Sequence, residues 1–191
     1  EIEEITGKDG TIVFDPYQAN SVPGLNSLKL KANLVLCSHE HDDHNARNCV
    51  EVAPKDFKVT CIETYHDHHQ GSHRGKNTIH IVDFEDLKVV HMGDIGCMMD
   101  DVSKLKNCDV LMIPIGGYYT IDTKEALKYI ERIQPRIVIP MHYHSHEFGY
   151  DVLSTNEEFI QQSSSVTYVD DCLEVNKDTK TQTVVFKKPR N

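Results

Sequence analysis

The chain has 191 residues, 39% of them hydrophobic, which is enough for one sizeable core and short for two independent domains. Its 20 Lys and Arg stand against 30 Asp and Glu, and the net charge of −10 disfavours nucleic-acid backbones and anionic lipid as partners. No apolar run approaches the roughly 20 residues that cross a bilayer, and residues 1–5 carry neither the basic nor the apolar part of a secretory leader, so a cytoplasmic protein with one domain over residues 1–191 is expected.

In chain order, residues 11–14, 33–37, 58–64, 78–82, 87–91, 109–113 and 136–140 are short β-branched or apolar runs bounded by turn residues, and each predicts a strand. Asp122 with Glu125 three residues on forms a capping pair ahead of Ala126, Leu127, Ile130 and Ile133, which share one helical face until Gln134-Pro135 ends it. Ser154 with Glu157 opens a second helical segment containing Phe159 and Ile160. Strand-like stretches follow at 166–169, 172–175 and 183–186. The pattern is mixed α/β without a repeat or a Pro/Gly/Ser-rich linker to divide it.

The six cysteines, Cys37, Cys49, Cys61, Cys97, Cys108 and Cys172, include no CxxC pair and read as reduced, structural side chains. Histidine is the unusual residue, with 12 copies in a chain that has no Trp. An excess of imidazole points to metal or proton chemistry.

The stretch Ser38-His39-Glu40-His41-Asp42-Asp43-His44, directly after the strand at 33–37, crowds imidazoles and carboxylates together. Both are good ligands for divalent zinc or iron. A tight loop leaving a strand can aim His39 and His41 at one ion while Asp43 and His44 turn to a second. Three more candidates follow strands: His66, Asp94 and His142. Strand ends of one sheet lie close together, so loops leaving them can converge on a common site.

These residues resemble the metallo-β-lactamase superfamily. The likeness is carried by HxHxDH at His39 to His44, by Tyr65-His66-Asp67, Met92-Gly93-Asp94 and Pro140-Met141-His142-Tyr143. It extends to Phe14-Asp15-Pro16-Tyr17, Arg74-Gly75-Lys76-Asn77-Thr78 and Ile113-Pro114-Ile115-Gly116-Gly117-Tyr118. These suggest the branch of small metal-dependent hydrolases that includes an ascorbate-6-phosphate lactonase-like group. The resemblance implies a four-layer αββα sandwich. Its usual opening strand and Gly-His pair before Asp15-Pro16 are not in this sequence, so the first edge strand is expected to be lacking. It further implies His39, His41 and His66 on one metal, Asp43, His44 and His142 on the other, and Asp94 bridging. His68 and His69 compete for the place given to His66, while His73, His80, His91 and His146 read as surface or packed polar residues.

Asp15 is a turn residue that the resemblance raises to a partner behind the ligands, where a carboxylate accepting the free N–H of an imidazole fixes its orientation. Asp42 could serve the same way, and His144 is a further candidate behind the ligands. Gly116 and Gly117 either make a plain turn or let backbone approach a substrate. Arg74 and Lys76 are a small basic pair in an acidic chain, placed either as a solvated turn or against an anionic substrate group.

Two divalent ions, zinc foremost with manganese or iron as alternatives, would share and activate a water for attack on a carbonyl or phosphoryl centre. Asp43 and Asp94 would be the catalytic carboxylates, and a small ester, lactone or phosphoester the substrate. The rivals are a nuclease or phosphodiesterase of the same superfamily, which the charge argues against, and a non-catalytic metal-binding or redox protein. A homo-oligomer is compatible with the sequence. No phosphate-binding GxxxxGK[ST] loop, GxSxG elbow or CxxC zinc knuckle is present.

Overall fold

In the computed structural model, which describes residues 2–187, the strands form a three-stranded and a seven-stranded sheet packed face to face and a separate two-stranded pair. Strands β1 (Glu3–Gly7) and β2 (Gly10–Phe14) are antiparallel. β3 (Leu30–Ala32) leads into β4 (Leu34–Leu36), which pairs in parallel with β2 and completes a three-stranded sheet. After a 3-10 turn at Arg47–Cys49, β5 (Val50–Val52) lies parallel to β3.

The larger sheet is built from β6 (Lys58–Tyr65), β7 (Lys76–Phe84), β8 (Leu87–His91), β9 (Val110–Pro114), β10 (Ile137–Met141), β11 (Val166–Val169) and β12 (Gln182–Phe186). It runs in the order β11-β12-β10-β9-β8-β7-β6, antiparallel across β6, β7 and β8 and parallel from β8 onward.

Strand alternation sorts the core into two layers. Ile79, Ile81, Val90, Leu111 and Ile113 face the helices α1 (Thr123–Ile133) and α2 (Glu157–Gln162), which lay Ala126, Tyr129, Ile133 and Phe159 over them. Val82, Val89, Val110 and Met112 face the other way and meet Ile12 and Phe14 of β2. On the far side of the small sheet, Val13 packs against Ala32 and Val50 of the β3–β5 pair.

The helix α1 begins as its sequence dictates. Asp122 accepts the Glu125 N–H at 2.9 Å and the Glu125 carboxylate accepts the Asp122 N–H at 3.1 Å. Gln134, in the left-handed region at φ 55°, ends it before Pro135. α2 starts differently from expectation. Its N-cap is Asn156, because the Ser154 N–H is engaged by the Gly116 carbonyl at 2.9 Å.

Strands β1, β3 and β5 have no counterpart in the sequence reading. β1 is a largely polar edge strand, and the other two are three residues long. β1 forms the edge of the small sheet and carries no Gly-His pair, so it is not the opening strand that the resemblance describes. Residues 172–175 form no ladder, and Leu173 and Val175 pack as irregular chain against the core between the sheets.

Candidate metal centre

The C-terminal ends of β4, β6, β8 and β10 open toward one another, and each delivers candidate ligands through the loop that follows. His39, His41, Asp43 and His44 follow β4, His66 follows β6, Asp94 follows β8 and His142 follows β10. Asp94 lies at the centre. Its Oδ2 is 3.2 Å from His66 Nε2, 3.2 Å from His44 Nε2, 3.1 Å from His142 Nε2 and 3.8 Å from His39 Nε2. His39, His41 and His66 form one group, each with a ligand atom within 4.8 Å of the others', and Asp43, His44 and His142 form a second by the same measure. The Asp43 carboxylate is 3.4 Å from His44 Nε2.

The approach needs unusual backbone. Gly93 sits at φ 56°, and a Cβ there would meet Asn77 Oδ1 and Ser38 Cβ at 2.4 Å, so only glycine fits beside Asp94. At Gly116 a Cβ would come within 2.1 Å of the His142 carbonyl oxygen, so the close approach this glycine permits is to the chain's own His142 backbone. Asp15 and His142 occupy the left-handed region at φ 43° and 53°, which Asp and His tolerate better than most residues.

Burial and charge set the protonation of the cluster. Burial takes the His39 imidazole down to about 3 against the pull of Asp94, so it is neutral with a lone pair to give. For His44, burial also disfavours the charged ring, but the Asp94 and Asp15 carboxylates outweigh it and raise its pKa well above the ordinary value, so a cation would bind this ring only in exchange for its proton. Asp94 is penalised by burial, yet His142 and His44 hold it well below the usual carboxylate range. Buried His39 Nε2, His44 Nε2 and Asp94 Oδ1 find no well-aligned hydrogen-bond partner among the described residues. Such groups are costly to bury unless something else satisfies them, and a divalent cation is the partner that neutral imidazoles and ionised carboxylates jointly suit.

A second layer of polar groups aims these side chains. Asp15 accepts the Ser38 N–H and the Ser38 hydroxyl, both at 2.6 Å, and lies 2.9 Å from His44 Nδ1. The Ser38 oxygen is also 2.9 Å from His39 Nδ1. Burial works against the Asp15 charge, but His44 and Ser38 hold its pKa far down, so it is an acceptor throughout. On the other side, His66 Nδ1 lies 3.0 Å from the Tyr119 carbonyl, a bond that leaves Nε2 facing Asp94.

Among the remaining candidates, His68 sits 3.5 Å from Glu125, and the His69 ring lies against His73 at 4.3 Å, so neither joins the cluster. His144 is turned toward Asp151 at 3.3 Å, and Asp42 is exposed. Arg74 places its guanidinium 5.3 Å from the Tyr119 ring and 6.0 Å from the Tyr118 ring, and no carboxylate pairs with it among the described residues. Lys76, by contrast, is exposed and paired with Glu63 at 3.1 Å. His73 and His146 are exposed, while His80 and His91 are buried in the sandwich.

Ser38, Asn77 and the tyrosines around Arg74 were not singled out from sequence. For Ser38 the available signal was its position directly before the HxHxDH run. Tyr119 acts through its backbone carbonyl, which side-chain identity does not announce.

Two facing sheets that gather imidazoles and carboxylates around one central aspartate at the strand ends define the class: a metal-dependent hydrolase. A family model described as a beta-lactamase superfamily domain matches residues 4–142, and the chain belongs to that superfamily. It is 28% identical to a UPF0173 metal-dependent hydrolase of Staphylothermus marinus over 186 residues, covering 74% of this chain and 78% of the relative. It is 29% identical to one from Natranaerobius thermophilus over 178 residues, covering 74% and 79%. In fold it is similar to a solved structure from Thermotoga maritima described as a putative Zn-dependent hydrolase of the metallo-beta-lactamase superfamily, with a TM-score of 0.72 at 24% identity over 97% of this chain and 98% of that one. No described helix is long and apolar enough to cross a membrane.

Proposed function

We propose that the centre holds two divalent ions and hydrolyses a small ester, lactone or phosphoester. The observation that carries this reading is the position of Asp94, whose buried carboxylate lies within reach of both ligand groups at once. His39, His41 and His66 would hold one ion, Asp43, His44 and His142 the other, and Asp94 would bridge them. Zinc is the first expectation from the His and Asp donors, with manganese or iron as alternatives. Bound there, the ions would supply Lewis acidity toward the scissile group and an activated water.

The chain's own residues do the rest. Asp15 and Ser38 hold the His39 and His44 rings in register, and the Tyr119 carbonyl does so for His66. Asp43, at the edge of the cluster and partly exposed, is placed to accept a proton from the attacking water. Tyr150 is half-buried, burial first and the Asp43 charge second push its phenol up to about 12, and its hydroxyl donates to the Ser21 carbonyl. Arg74, free of carboxylate partners, would meet an anionic group on the substrate, whereas the Lys76 ammonium is already held by Glu63. Six unpaired cysteines fit a reducing, cytoplasmic setting.

The test is metal analysis of protein purified without added metal, followed by a panel of esters, lactones and phosphoesters with and without chelator. About two ions per chain and chelator-sensitive turnover are expected. Zero ions after refolding with zinc, manganese and iron would sink the reading, and bound metal without hydrolysis of any member would favour the non-catalytic alternative.

A further inference from the structure

Behind the central carboxylate lies a buried imidazole that the proposed chemistry does not use. His91 ends β8, is 1% exposed, and stacks on the Phe14 ring of β2 at 4.9 Å with 8° between the planes. Its Nδ1 accepts the Gly93 N–H at 3.2 Å, which places the ring proton on Nε2, and Nε2 donates to Glu3 Oε2 of β1 at 3.0 Å. The next backbone N–H, that of Asp94, goes to Asn77 Oδ1 at 2.9 Å, and the Asn77 amide donates in turn to Thr64 Oγ1 and the Met92 carbonyl. Both backbone amides that lead into the Asp94 side chain are thus held by side chains. Ser38 and Asn77 press so close to Gly93 that a Cβ there would meet both at 2.4 Å, so this segment runs in close contact with both residues.

We infer that His91, oriented by Glu3 and clasped by Phe14, is a positioning residue for Asp94. By taking the Gly93 N–H it keeps the short segment from β8 in the one conformation that puts Asp94 Oδ2 between both ligand groups. The inference rests on the reading of the cluster as a metal centre. His91 touches no ligand atom, and its effect is on geometry: a carboxylate displaced by a fraction of an ångström meets one group and loses the other.

The experiment compares metal affinity, by competition with a chromophoric chelator, with the thermal midpoint of the metal-stripped protein. His91→Phe keeps a ring against Phe14 but cannot accept the Gly93 N–H, and its affinity should fall about 10- to 100-fold. His91→Asn, whose amide oxygen can take the place of Nδ1, should recover most of that loss. Affinity unchanged in His91→Phe while the metal-free midpoint drops would overturn the inference, because a purely structural role moves the second quantity alone. If His91→Phe does not fold, Glu3→Ala carries the test. It should weaken metal binding several-fold and be rescued by Glu3→Gln, and equal affinities in wild type and Glu3→Ala would overturn the inference. A wild type that takes up no metal overturns the metal-centre reading itself, and this inference with it.

Discussion

The two ends of the parallel strands treat charge in opposite ways. At the N-terminal ends, Asp109 before β9 accepts Arg136 Nη2 at 2.9 Å, Arg136 Nε at 3.2 Å, Lys177 Nζ at 3.2 Å and the Lys88 N–H at 2.8 Å. Arg136 spends its other donor on the carbonyls of Asn176 and Thr179, at 2.8 and 2.6 Å. Asp109 and Arg136 are thus each matched by partners of opposite character. At the C-terminal ends, Asp94, His39 and His44 are more deeply buried, and yet Asp94 Oδ1, His39 Nε2 and His44 Nε2 have no well-aligned hydrogen-bond partner among the described residues. The saturated end is built for stability and the unsaturated end is built to take something in, which is why a count of charges alone would not tell them apart.

The sharpest way to break this contrast is to exchange a single atom at each end. Asp94→Asn should lose at least one ion and lower kcat/KM more than about 100-fold, while Asp109→Asn should cost roughly 1–3 kcal/mol of stability and leave the metal count unchanged. Glu158→Gln on exposed α2 serves as the neutral control. Parallel losses of metal in the Asp94 and Asp109 variants would erase the distinction. A smaller effect is expected from Asp15→Asn, which keeps its shape but weakens its hold on His44, and metal affinity should drop about 10-fold or more without a change in fold.

Metal removal should be felt at one end only. With free metal at about 100 times its dissociation constant, linkage supplies about 2.7 kcal/mol, so chelator should lower the wild-type melting temperature by several degrees. Asp109→Asn should show the same decrement and Asp94→Asn much less. Arg74→Ala should raise KM for anionic substrates several-fold and spare neutral esters, whereas Lys76→Ala should change little, and matched losses on both substrate types would mean that Arg74 only supports its loop.

The smallest expected effect is in pH dependence. Burial favours neutral Asp109, but the Lys88 N–H, Arg136 and Lys177 outweigh it and lower its pKa. A depressed folded-state pKa means that the stabilisation is present above the unfolded value near 3.8 and is lost as pH falls through the folded value. Denaturation followed in the metal-free protein below about pH 4 should therefore be less steep in Asp109→Asn, and identical slopes would show that the Arg136 cluster contributes nothing on acidification.

Sequence legibility followed the same division between local and long-range order. The His39–His44 run could be read directly as a candidate site, because its candidate ligands are packed into one loop and a polar turn has no other need for them. His66, Asp94 and His142 are ordinary residues one by one and gained meaning from following strands and from the family resemblance. Ser38, Asn77 and the Tyr119 carbonyl act across contacts that join distant parts of the chain, and no local pattern marks them. The α1 cap was legible because both partners lie within four residues. The strands β1, β3 and β5 were not, being short or polar, and the apolar run at 172–175 misled because burial of Leu173 and Val175 did not require a ladder.

The spread of the ligands along the chain also bears on how the molecule forms. The His39–His44 loop hangs from the small sheet, while His66, Asp94 and His142 hang from the large one, whose parallel pairings β8–β9 and β9–β10 close only over long intervening segments. Such pairings are slow to form, since the entropy of closing each interval is lost before any contact repays it. A nascent chain can offer an ion only the first loop. If the centre takes up ions as proposed, tight capture would wait until the sheets face each other, and metal uptake would mark the arrival of native topology.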